Sequence, residues 1–289
     1  MSAPRHPYAG KVVGLATIHA KERAIAPPFR RLLGAKVEVA PGVDTDALGT
    51  FSGEIQRPAS QVEVTDMKAR MTFAAMDVDC SIASEGSYGP IFKTPLKPAG
   101  VEILTFVDRK RGTHITQTLS THRTNWRMLY FREGEDERVA REMKALGFPE
   151  YGVFAMQNDD WLTVVKNLST LEEVITTVNR MAAKSADGQC LVIPDMRAHR
   201  NLLRMKVIRA TAYKLAKRLA VLCPKCEAPG FGHIHSRRGL PCENCRQPTH
   251  WIENEIDGCS ACGHAVARPR KDGRKTASKL TCQECKLSS

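Results

Sequence analysis

Cys223-Pro-Lys-Cys226, Cys242-Glu-Asn-Cys245, Cys259-Ser-Ala-Cys262 and Cys282-Gln-Glu-Cys285 hold eight of the chain's ten cysteines. A CxxC turn lets two thiolates converge on one ion, and a second CxxC about 15–20 residues on completes an all-sulfur tetrahedral site. Fifteen residues separate Cys226 from Cys242, and nineteen separate Cys262 from Cys282. Paired in chain order, the eight predict tandem zinc ribbons: Cys223/Cys226 with Cys242/Cys245, and Cys259/Cys262 with Cys282/Cys285. Four thiolates leave no open position for water, so both zinc ions are expected to be structural. Gly230, Gly232, Gly239, Gly258 and Gly263 fall where the turns of such knuckles are expected. His250 and His264 lie close by, but complete cysteine sets make them unnecessary as ligands. Apart from Trp251, Ile252 and Ile256 the segment offers little for a core, so the metal is expected to supply its folding energy.

Two other uses of CxxC compete with zinc. A disulfide framework is disfavoured in a reducing compartment, and a thioredoxin-like pair needs a βαβ setting that the segment lacks. The compartment reading is cytoplasmic. No stretch approaches the roughly 18 apolar residues needed to span a bilayer, so no membrane association is expected. The apolar run Val12–Ile18 has no small-residue cleavage site behind it and reads as a first strand. Cys80 and Cys190 sit inside apolar runs and read as small buried hydrophobes.

Charge is unevenly distributed. Residues 196–289 carry 19 Lys+Arg against 7 Asp+Glu, a surplus of 12, whereas residues 1–195 carry 24 of each. The C-terminal third is therefore where a polyanion would meet the chain, unless the charge serves only as a solvated surface. Zinc lessens the surplus, because each four-thiolate site carries about two negative charges.

Upstream, strand and helix patterns alternate. Strands are expected over Lys11–Ile18, Lys36–Ala40, Cys80–Ser84, Val101–Asp108, Thr113–Ser120, Tyr151–Gln157, Leu162–Lys166 and Cys190–Pro194. Helices are expected over Lys21–Leu33, interrupted or delayed by Pro27-Pro28, and over Ser60–Met76, Glu135–Leu146 and Thr170–Ala183. A polar loop, Gly42–Pro58, precedes the second helix, and Glu85–Pro90 reads as a turn. Ser169 and Glu172 suggest a capping box for the helix at Thr170, whose apolar face is Leu171, Val174, Ile175, Val178 and Met181. A basic helix from about Arg200 to Leu222 leads into the cysteines. The expected organisation is a mixed-sheet α/β domain over residues 1–195, a basic linking helix over 196–222 and two zinc-ribbon modules over 223–289.

The order of these elements resembles the inosine/xanthosine triphosphate pyrophosphatase superfamily. The residues concerned are Ala16-Thr17-Ile18-His19-Ala20-Lys21-Glu22 after the first strand, Glu63 with Lys68-Ala69, Ala83-Ser84-Glu85-Gly86 before a hairpin, and Ala198-His199-Arg200. The first motif is one residue short of the family's, and the last lacks its serine. This resemblance implies a metal-dependent nucleoside triphosphate pyrophosphatase. Glu63 and Glu85 would hold catalytic Mg(II) or Mn(II), Lys21 would meet phosphate, and Lys68, Arg197, His199 and Arg200 would bind substrate. Over nearly its full length the chain also resembles the uncharacterised bacterial domain-of-unknown-function family 6671. That similarity rests on Lys21-Glu22, Thr45–Phe51, Ser84–Pro90, Asp195-Met196-Arg197 and Cys223–Phe231, and implies no activity.

Each of these residues also has an ordinary reading. Glu63 and Lys68 suit a solvated helix face, and Asp195 suits a helix cap. Asp44, Thr45, Asp46, Thr50, Ser52 and Glu54 crowd the Gly42–Pro58 loop, either as an ordinary polar loop with Asx turns or with its carboxylates joining Glu85 in a hard-cation site. Arg197, Arg200 and Arg204 fall at helical spacing and suit phosphate, of a nucleotide or of a nucleic-acid backbone. Two functions follow: a nucleotide phosphohydrolase with a zinc-ribbon appendage, or a non-catalytic zinc-ribbon protein that binds nucleic acid. A homo-oligomer is compatible with either.

Overall fold

The computed structural model describes residues 6–50, 55–91, 94–160 and 163–287. It divides into two compact units, one of residues 1–108 with 116–216, the other of residues 109–115 with 217–289.

In the first unit, β1 (Val12–Ala16) leads through α1 (Glu22–Leu33) to β2 (Lys36–Val39), and α2 (Gln61–Ala75) leads on to β3 (Cys80–Ile91). β1 pairs parallel with both β2 and β3, so the chain leaves β1 on one side and returns on the other. The region beyond the carboxyl end of β1, next to the β3 residues that follow Ala83, is thus the topological switch point, the place where open α/β sheets bind ligands. β4 (Thr94–Asp108) runs antiparallel to β3, and β5 (Thr113–Thr121) completes a sheet of order β2-β1-β3-β4-β5. α1 is continuous across Pro27-Pro28. Its lost N–H donors are offset by burial of Ile25, Phe29 and Leu33 along one face.

The turn expected at Glu85–Pro90 is instead strand. β3 runs straight through it, pairing Cys80–Pro90 with Pro98–Asp108. The glycines that suggested a turn are places where the opposite side chain lies flat on the backbone. Gly100 faces Tyr88, whose ring occupies the space a Cβ would need, and Gly86 faces Glu102 in the same way. Gly86 is thereby covered by Glu102 and Arg204.

A second sheet, of order β6-β9-β7-β8, is antiparallel throughout. Its strands are β6 (Leu129–Phe131), β7 (Val153–Gln157), β8 (Val164–Val165) and β9 (Cys190–Pro194). α3 (Asp136–Leu146) and α4 (Leu171–Lys184) pack on one face around Phe131, Met143, Val153, Val178 and Val192. The capping box of α4 is Thr170 with Glu173, one residue later than Ser169 and Glu172. That shift leaves Leu171 exposed and buries Thr177. In residues 196–222, a 3₁₀ turn at Ala198–Arg200 precedes α5 (Leu202–Leu219), which buries Ile208, Thr211, Ala212 and Leu215 completely.

The second unit is built on three antiparallel strands, β10 (Gly232–Arg238), β11 (Ile252–Gly258) and β12 (Ala265–Pro269), with α6 (Gln283–Leu287) near the end. The segment 109–115 belongs to it, and the His114 N–H donates to Ser260 Oγ at 3.3 Å. Among the described residues no helix is long and apolar enough to cross a membrane.

Candidate functional site

The eight paired cysteines converge, but not in chain order. Cys223, Cys226, Cys259 and Cys262 form one cluster, and Cys242, Cys245, Cys282 and Cys285 form the other. The tandem ribbons expected from spacing are therefore replaced by interleaved sites. The reason lies in the strands between the knuckles. A seven-residue strand such as β10 spans about 20 Å, so Cys226 and Cys242, before and after it, sit at opposite ends of the sheet. β11 runs antiparallel and returns the chain to the first end, where Cys259 follows Gly258 directly. β12 then carries it away again towards Cys282.

Sulfur spacing fits a metal. Cys223–Cys262 is 3.8 Å, Cys226–Cys259 3.7 Å, Cys242–Cys285 3.8 Å and Cys245–Cys282 3.6 Å. Zn–S bonds of about 2.3 Å place tetrahedral edges at about 3.8 Å, whereas a disulfide needs about 2.05 Å. The knuckles share one geometry. The N–H groups of Glu227, Arg246, Gly263 and Lys286 each donate to the carbonyl of the cysteine four residues earlier. Glu227, Arg246 and Gly263 all have φ between 57° and 71°, so only one of these left-handed positions uses glycine. The N–H groups of Lys225 and Asn244 also point at Cys223 and Cys242 Sγ, both at 3.4 Å, an arrangement that favours thiolate. Both clusters could hold zinc.

In the first unit, ionisable side chains are buried at the switch point. Lys21 comes from the β1–α1 turn, Lys68 from α2 and Glu85 from β3, and each is no more than 6% exposed. Lys68 Nζ donates to Glu85 Oε2 at 2.6 Å, and Arg57 Nε donates to Oε1 at 2.9 Å. Burial pushes the Glu85 carboxyl up, but Lys68, Lys21 and Arg57 outweigh it and hold it below its ordinary range. Lys21 Nζ donates to the Ser84 carbonyl at 3.0 Å. Among the described residues it has no carboxylate within 4.0 Å, and burial, with the charge of Arg204, lowers it to about 7. At the rim, His19 Nε2 lies 3.3 Å from Asp46 Oδ1 and its ring stacks on His199 at 5.1 Å. His19 Nδ1 is buried without a partner. Behind the cluster, Arg204 and Glu102 form a fully buried pair at 2.5 Å.

A family model described as a domain of unknown function, DUF6671, matches residues 68–287. The chain belongs to this family. The match takes in Lys68, Glu85 and all eight paired cysteines, but begins beyond Lys21, Arg57 and Glu63. Comparison with curated proteins finds no match.

The structure thus brings Lys21, Lys68 and Glu85 together, and His199 lies against His19. It does not bring Glu63 to them: the Glu63 carboxylate accepts the Ser60 N–H at 2.9 Å, closing the capping box of α2. Nor do the arginines of residues 197–204 share a helix face. Arg197 forks onto Asp195 at 2.7 Å, Arg200 donates to the Leu168 carbonyl at 2.9 Å, and Arg204 is interior. In the Gly42–Pro58 loop, Asp44 accepts the Asp46 N–H at 2.9 Å, while Ser52 and Glu54 lie outside the described residues. What the end of that loop delivers to Glu85 is a cation, Arg57. The signal for it was faint: a lone basic residue closing an acidic loop.

Proposed function

We propose that the α/β unit binds a phosphorylated small molecule at the switch point, and that the four-sulfur clusters of the other unit hold two structural zinc ions. The observation that carries the first part is Lys21. It is a buried amine with no carboxylate within 4.0 Å among the described residues, at the start of α1, while the neighbouring carboxylate is already shared by Lys68 and Arg57. A phosphate supplies the missing counter-charge and draws on the Arg57 fork and the positive end of α1. Nucleotides are the class that the pyrophosphatase resemblance implies. Phosphohydrolysis would require a divalent ion to arrive largely on the nucleotide's own phosphates, because Glu85 is committed to two cations and Glu63 to its helix cap. Asp46, engaged with His19, is the carboxylate best placed to meet it.

Calorimetric titration with nucleoside mono-, di- and triphosphates and with pyrophosphate, each with and without Mg(II), tests the binding. A pyrophosphate-release assay on the same panel tests turnover. Lys21→Met is expected to weaken the best ligand at least tenfold. If no phosphate compound binds at millimolar concentration, the reading fails.

A further inference from the structure

The basic excess of the C-terminal third was expected to present Arg200 and Arg204 to a polyanion, and both are engaged elsewhere. A different face of α5 is free. Lys206, Arg209 and Lys214 are exposed on it, and beside them Arg31 is exposed on α1. Together with Pro27, Pro28, Ala210 and Tyr213 they line a groove of about 560 Å³. No acidic residue lines the groove, α5 contains none in its whole length, and among the described residues none of the four cations makes an ion pair. Tyr213 is 45% exposed, unusual for a ring within a helix whose opposite face is fully buried. Lys206, Arg209 and Tyr213 recur at three- and four-residue spacing, which stacks them along one stripe, and Lys214 extends the charge to about 12 Å along the axis.

We infer that this groove binds single-stranded nucleic acid, a role separate from the phosphate site at Lys21. Four unpaired cations follow a phosphate backbone, and an exposed ring between them offers a stacking surface to an unpaired base. A duplex keeps its base faces stacked and is read by an element inserted into its own groove, whereas this feature is concave. An acidic peptide would satisfy the cations but has no comparable use for the ring. An anionic bilayer would call for an apolar protruding face, whereas this feature is a groove.

The test is fluorescence anisotropy on the full-length zinc-loaded protein with a labelled oligo-dT of about 15 nucleotides, titrated across salt, with a duplex, heparin and phosphatidylserine vesicles as comparisons. The oligo-dT is expected to bind more tightly than the duplex, with log K falling linearly against log salt at a slope near −3 for four phosphate contacts. The double variant Lys206→Glu/Arg209→Glu is expected to lose at least thirtyfold in affinity at low salt and to flatten the slope. Tyr213→Ala should lose about tenfold with the slope unchanged. Lys184→Glu on α4, a single charge reversal elsewhere, should behave as wild type. Circular dichroism of each variant shows whether it is folded, and the more conservative Lys206→Gln replaces any that is not. The inference is overturned if the groove variants bind as wild type, if duplex and heparin bind as well as oligo-dT with Tyr213→Ala silent, or if only vesicles bind.

Discussion

The two units solve the same problem of cohesion by opposite means. In the first, the fully buried side chains include Tyr8, Phe29, Phe106, Phe131 and Phe154, and its buried ions other than Lys21 are paired, Lys68 with Glu85 and Arg204 with Glu102. In the second, no aromatic side chain is buried among the described residues, and four of its cysteines, Cys223, Cys242, Cys259 and Cys282, are among its few buried side chains. One unit is held by apolar area taken from water, the other by thiolates that need a cation between them. The difference predicts where each unit fails. Loss of a methylene or a counter-ion should damage the first locally, whereas loss of one ion should undo half of the second at once.

Metal removal probes that contrast most strongly. Structural zinc sites contribute apparent binding energies of about 10–16 kcal/mol in small peptides. Chelation under reducing conditions should therefore abolish the dispersion of amide signals from residues 217–287, leaving those of the first unit in place. Metal analysis should give two zinc ions per chain, and the interleaving can be read from double variants. Cys226→Ser with Cys259→Ser should lose one ion, and Cys226→Ser with Cys242→Ser should lose both. Tandem ribbons would give the reverse.

Next in size is the buried ion pair. Glu102→Gln leaves Arg204 charged and interior, which should cost about 3–5 kcal/mol in urea unfolding of the first unit. Arg237→Ala in the second unit breaks an exposed pair with Glu253 and should change stability by no more than about 0.5 kcal/mol. Equal effects would mean that the two units do not differ in how they use charge.

Lys21 gives a smaller, pH-dependent signature. Its folded value of about 7 lies below its ordinary 10.5, so between those limits the unfolded chain holds more protons than the folded one. Stability of the ligand-free protein should accordingly rise from pH 7 to 10.5, by at most about 1.4 kcal/mol per pH unit, and be flat in this group below pH 7. Lys21→Met should start out more stable at pH 7 and lose that advantage by pH 10.5. Parallel pH profiles of the two proteins would show that Lys21 is not an uncompensated buried amine.

Smallest of all is Glu63→Gln. Because the carboxylate serves the α2 capping box, where glutamine can take its place, the change should lower stability only slightly and leave phosphate binding intact. A hundredfold loss of binding instead would restore Glu63 to the site.

The sequence by itself determined the eight ligand cysteines, because softness and thiolate chemistry belong to the side chain wherever it stands. It also determined most helices and strands, since periodicity and caps such as that of α4 are local. Partnership was decided only in three dimensions. Spacing allowed Cys226 to share an ion with Cys242, and β10, a polar strand easily taken for loop, carried them to opposite ends of a sheet. Gly86 and Gly100 read as turn residues along the chain, yet each makes room for a side chain of the neighbouring strand. Glu85 read as a metal ligand until Lys68 and Arg57 arrived from two other segments, and Arg204 read as surface until Glu102 met it in the interior. A residue's chemistry is carried in its own atoms, but its counter-ion is set by which strands pair. That is a long-range outcome no local pattern encodes.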